Sequence, residues 1–137
     1  MKNIKKLLCI VLVLISVFAF NACEKNDSYK NTKYPPAVKL NIREYCATCD
    51  SNEKLAEVTY VGNRYFLTGE IYEITQSGVV KIYASNGNST ERFRFTPLNE
   101  NDVLALYKGQ IVTATGTLTE LPAYFAASFE DAVFSVE

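Results

Sequence analysis

From Tyr65 to Val136 the apolar residues recur mostly at every second position, the spacing of strands with one buried face. In "YFLTGEIYEIT" (65–75) the apolar positions are Leu67, Ile71 and Ile74, and their phase shifts near Gly69, which predicts a bulge or sharp bend. "GVVKIYAS" (78–85) follows the turn Gln76-Ser77-Gly78 and sets Val80, Ile82 and Ala84 on one face, so the two stretches predict a hairpin. An Asn86-Gly87 turn then leads into "ERFRFTP" (91–97), where Phe93 and Phe95 point one way and Arg92 and Arg94 the other. The period changes in "PLNENDVLALYKG" (97–109). Asn99 or Asn101 can cap, acidic residues fill the first turn, Val103, Leu104, Leu106 and Tyr107 form an apolar stripe, and Gly109 ends it, so a short helix is predicted. Alternation returns in "QIVTATGTLTEL" (110–121), with Val112, Ala114 and Leu118 opposite a threonine row and a bend at Gly116. "AYFAASFEDAVFSV" (123–136) supplies the last strand, with Phe129 and Phe134 as core anchors, and "NIREYCATCDSNEKLAEV" (41–58) predicts a leading helix.

Three strands, a helix and two strands, after a leading helix, is the order of the OB-fold, a five-stranded Greek-key barrel with its helix between strands three and four. A five-stranded sandwich competes, and the helix between strands argues against it. Two phrases, "YVGNRYFLTGEIYEI" and "LALYKGQIVTATGTLTEL", resemble those of the anticodon-binding-like OB family of exported bacterial proteins. The shared pattern is Thr-Gly-x-Ile at the end of one strand and Lys-Gly-x-x-Val-Thr-x-x-Gly in another. In that family a helix rich in Asn, Glu and Ala precedes the first strand, and "DSNEKLAEVTYVGN" fits that place. The resemblance covers about residues 50–137 and speaks for fold more than for function. It divides the domain into a leading helical segment, 37–59, and a barrel, 60–137.

The first residues change the picture. Lys2, Lys5 and Lys6 precede an apolar run from Leu7 to Phe20, long enough for a signal core and short of the ~20 residues needed to span a bilayer as a helix. Phe20-Asn21-Ala22-Cys23 resembles the lipobox of bacterial lipoproteins, although Phe20 and Asn21 depart from its usual aliphatic and small residues. The resemblance implies a signal peptide over 1–22 that is removed, and acyl chains, palmitate among them, on Cys23. Several chains suffice to hold a protein at a membrane, where one is marginal. Residues 23–36, polar and ended by Pro35-Pro36, read as a tether. The expected location is the bacterial cell envelope, on its periplasmic or surface side, with the membrane as a partner through the lipid.

Composition narrows the chemistry. The sequence holds no histidine and no tryptophan, which removes Ser-His-Asp and Cys-His catalysis and most zinc sites. Without the three signal lysines 11 basic residues face 15 acidic ones, the wrong sign for a phosphate-binding protein. Cys46-Ala-Thr-Cys49 is the one motif that invites chemistry. A redox reading lacks the βαβ surroundings of thioredoxin-like proteins, and Glu44 and Asp50 would raise a thiol pKa. A zinc site lacks ligands, and c-type haem attachment lacks the histidine that Asp50 replaces. A structural disulfide between Cys46 and Cys49 is therefore expected, with no cofactor and no metal.

OB-folds bind ligands across the face of their second and third strands. Here that face would carry Lys81, Tyr83, Arg92 and Arg94, joined by Tyr72, a set suited to stacking and to an anionic partner. The same cations also fit a solvated sheet face balanced by Glu70, Glu73 and Glu91, the default for charges on such strands. The expectation is a non-catalytic binding or assembly module for an anionic glycan, peptide or protein, with nucleic acid disfavoured by the acidic balance and the export. A thiol-disulfide protein using Cys46 and Cys49, and a structural accessory subunit of an envelope complex, remain the alternatives.

Overall fold

The computed structural model describes residues 34–122 and 126–137. The expected signal segment, Cys23 and the tether as far as Lys33 lie outside them. The elements are β1 (Val38–Lys39), α1 (Ile42–Ser51), α2 (Glu53–Tyr60), β2 (Arg64–Ile74), β3 (Val80–Ser85), β4 (Thr90–Pro97), a 3₁₀ turn (Glu100–Val103), β5 (Ile111–Glu120) and β6 (Ala127–Val136). Among the described residues no helix is long and apolar enough to cross a membrane.

The strands run in the order β1-β2-β3-β4-β6-β5, and a further pairing of β2 with β5 closes β2 to β6 into a barrel. β4 and β6 are parallel, and the other pairs within the barrel are antiparallel. β2 serves two neighbours because it is long and bent. Arg64 to Glu70 pair with β5, while Glu70 to Ile74 pair with β3. The hand-over falls at Glu70, next to Gly69, where an added Cβ would collide with the Tyr83 carbonyl oxygen and lie 2.5 Å from Ile82 Cγ2. Only a residue without a side chain lets the two strands approach so closely. β1, too short to be read from sequence, lies parallel to the first half of β2, with Val38 opposite Tyr65 and Lys39 opposite Phe66.

Alternation places the core as expected. Ile71, Val80, Ile82, Phe95, Val112 and Leu118 are wholly buried inside the barrel, and Phe95 stacks on Phe129 at 4.6 Å between ring centroids. Phe134 packs against this core from a partly buried position. α1 adds Tyr45, whose ring meets Tyr60 edge-on at 5.1 Å and Phe93 at 6.4 Å.

Two expectations need correction. The leading helix is two helices, broken at Asn52, whose backbone is extended (φ −160°) and whose side chain accepts the Leu55 N–H at 3.0 Å. Asparagine is a favoured helix N-cap, so the chain restarts there and buries Ala56 as well as Tyr45. The predicted helix between strands three and four is the 3₁₀ turn, with Asp102, Leu104 and Leu106 N–H groups bonded to the carbonyls of Asn99, Asn101 and Val103. Three residues per turn bring Val103 and Leu106 onto one face, against the core. Leu104 and Tyr107, expected in the same stripe, are instead 80% and 64% exposed.

Candidate ligand-binding face

The outer side of β2, β3 and β4 is built by register. Lys81 on β3 stands opposite Arg94 on β4, and Tyr83 opposite Arg92. On β2 the pairing steps from Ile71 opposite Ile82 to Glu73 opposite Lys81, so Tyr72 is the extra residue of a β-bulge. A bulge re-aims a side chain. Ile71 is buried and Ile74 packs on the core, which leaves Tyr72 and Glu73 as consecutive outer positions. A bulge or sharp bend was expected near Gly69; the register shift lies three residues further on, at Tyr72.

The result is a row across three strands. Tyr72 stacks on Tyr83, centroids 4.0 Å apart and planes 21° from parallel, and the Arg92 guanidinium lies 5.8 Å from the Tyr83 centroid. Beside the row runs an open groove of about 450 Å³ whose lining includes Tyr72, Lys81, Arg92 and Arg94. The structure therefore brings together all five residues chosen from sequence. Their charges differ in availability. Lys81 donates to Glu73 at 2.8 Å, the cross-strand balance expected. Arg92 and Arg94 are exposed and enter no ion pair among the described residues. Glu91, expected to balance them, instead accepts from Ser89 Oγ at 2.6 Å and from Asn86 Nδ2 at 3.4 Å.

Cys46 and Cys49 sit one turn apart on α1 as half-buried free thiols, where the sequence reading expects a bond between them. Burial, with Glu91, Cys49 and Asp50 nearby, pushes the Cys46 thiol up to about 11, and burial raises Cys49 as well. Asp50 contributes as expected, whereas Glu44 is not among the causes. Both groups are thus kept from the thiolate form that a redox nucleophile needs. The Tyr45 phenol is also raised, chiefly by burial and then by Cys49. These groups border a crevice of about 120 Å³ between α1 and β4 that also touches Glu91 and Arg92. Sequence reasoning missed Tyr45 and read Glu91 only as a charge balance on the sheet; the two lie 46 positions apart and line one crevice only when α1 packs on β4. Among the described residues no three His, Cys, Asp or Glu side chains could hold a metal ion.

No protein-family model matches the chain, and no curated protein matches it in sequence. Among solved structures it is similar to a candidate nucleic acid-binding lipoprotein from Klebsiella pneumoniae subsp. pneumoniae. The TM-score is 0.56 at 19% identity, over 72% of this chain and 92% of that one. The chain is an OB-fold protein. A mitochondrial single-stranded DNA-binding protein of S. cerevisiae also matches, at a TM-score of 0.40 and 17% identity over 54% of this chain and 94% of that one, too distant to add to the argument. The first neighbour corrects one expectation drawn from sequence. A lipoprotein that shares this OB-fold is itself described in terms of nucleic acid, so a lipid anchor and export are no ground for setting that ligand aside.

Proposed function

We propose that this protein is a non-catalytic OB-fold binding module, held at the bacterial envelope through lipid on Cys23, and that its ligand is a single-stranded nucleic acid bound across β2, β3 and β4. The observation that carries this reading is the row Tyr72, Tyr83, Arg92, with Arg94 beside it and neither arginine in an ion pair among the described residues. Aromatic rings give every base a stacking surface, and arginines track the phosphates, which is how sequence-tolerant single-strand binding works. Strand pairing sets the spacing of this face, and its cations supply local attraction against an overall negative charge.

The test is fluorescence anisotropy of the full chain with a labelled oligonucleotide of about 15 nucleotides, within the range one OB-fold covers. A sulfated glycan serves as the rival polyanion. Binding is expected to the oligonucleotide, to fall at least tenfold in Tyr83→Ala, and to lose about one unit of salt slope for each of Arg92→Ala and Arg94→Ala. Binding to the glycan alone would move the site to that ligand. Oligonucleotide binding untouched by all three substitutions would place the ligand elsewhere on the barrel.

A further inference from the structure

Strand order sets the sequence of groups in the outer row: Tyr72 on β2, Tyr83 on β3, Arg92 on β4. The middle group is covered on both sides. Tyr72 lies 4.0 Å from Tyr83, centroid to centroid, with the planes 21° from parallel. The Arg92 guanidinium lies over the same ring at 5.8 Å, within reach of a cation–π contact. Rings on adjacent strands that meet face to face stand upright on the sheet, so Tyr72 fills the face of Tyr83 toward β2 and Arg92 the face toward β4. A base can stack on Tyr83 only by breaking one of these contacts.

Tyr72 is placed differently. Tyr83 is its one ring contact among the described residues, and no guanidinium lies over it there, so one of its faces carries no aromatic or cationic cover. Because the bulge hands Lys81 to Glu73 as its cross-strand partner, Tyr72 has no residue directly opposite and leans on Tyr83 instead. Tyr72 also borders the open groove, with Arg92 and Arg94, whereas Tyr83 does not. At about 450 Å³ the groove is of the size that takes small ligands.

Resting on the single-strand reading above, we propose that the ligand stacks a base on Tyr72 alone. One base lies on the open face of Tyr72, the phosphates beside it lie on Arg92 and Arg94 across the groove, and Tyr83 touches no base. Tyr83 is a positioning residue that holds Tyr72 and Arg92 in place from between them. The outer face then offers one stacked-base position, where its two tyrosines suggest two.

The experiment irradiates the full chain bound to an oligo-dU of about 15 nucleotides in which 5-iodouracil replaces uracil, and maps the adduct by mass spectrometry. Light breaks the C5–I bond and joins C5 to the ring stacked on it, with loss of hydrogen iodide. The adduct is expected on Tyr72 and not on Tyr83. Tyr72→Leu is expected to weaken binding of the unmodified oligo-dU about tenfold, the size of one base stack. Tyr83→Phe, which keeps both ring faces, should bind like the unaltered protein and still give the adduct on Tyr72. An adduct on Tyr83, or binding with no adduct on Tyr72, would overturn the assignment while the single-strand reading stands. Binding unchanged in Tyr72→Leu would overturn it as well. Failure of the unaltered protein to bind the oligonucleotide would overturn both readings.

Discussion

Gly69 and Cys46 show how much one residue decides. At Gly69 the obstacle to a side chain is the backbone of β3, which cannot swing away, so Gly69→Ala should lower stability by about 1–3 kcal/mol as overpacking does. A lower urea midpoint with an unchanged slope would show it, and an unchanged midpoint would mean β2 and β3 are less tightly joined than they look. At Cys46 the folded state binds its proton more tightly than the unfolded chain, whose thiol titrates near ~8.5. The stabilisation is therefore complete below that pH and is lost as the pH rises to about 11. Tm is expected to fall across that window, and less so in Cys46→Ala. Iodoacetamide should label native Cys46 more slowly than the urea-unfolded chain at pH 8, and equal rates would refute the buried, protonated thiol. Something special at Gly69 was legible because a lone glycine interrupts an alternating run; that it is a close approach of β3 was not. The raised thiols were half legible, since Asp50 is a neighbour in sequence and Glu91 is not.

At the scale of elements, strands were read well and everything shorter or between them less well. β4 declares its buried face by alternation, so Phe93 and Phe95 inward and Arg92 and Arg94 outward needed no tertiary information. β1 has two residues and no period to detect. The Tyr72 bulge depends on the register with β3, and the outer stack of Tyr72 on Tyr83 follows from it. The break between α1 and α2 did carry a signal, Asn52 followed by Glu53, obscured because the apolar stripe continues through it. Since the Asn52 side chain caps α2, Asn52→Ala should cost about 1 kcal/mol and Asn52→Asp almost nothing. Denaturation midpoints of the two variants would check this, and equal losses would show that the cap contributes nothing. The 3₁₀ turn was misread as a helix because Val103, Leu104, Leu106 and Tyr107 satisfy helical spacing, while the structure packs only the pair three apart, half-buried, against the core.

For the whole molecule, the closed barrel is what turns separate strands into a site. The aromatic row uses one residue from each of three strands, so its spacing is only as well defined as the pairing of β2 with β3 and of β3 with β4. The candidate face was legible as a set of residues because the fold was legible. The crevice was not, because it needs α1 against β4. Closure also orders events in time. β4, which carries both arginines, has β3 on one edge and β6 on the other, with Arg94 opposite Ser128, and β6 also borders β5, which must return to β2 to close the ring. A chain made from its N terminus can form the hairpin of β2 and β3 early, but β4 gains its second neighbour only after Ala127–Val136 exists. Pairings between distant segments are the slow ones. The candidate face thus gains its last supporting strand only when β6 is in place, and a chain stopped short of β6 would carry every residue of that face on a sheet left open at β4.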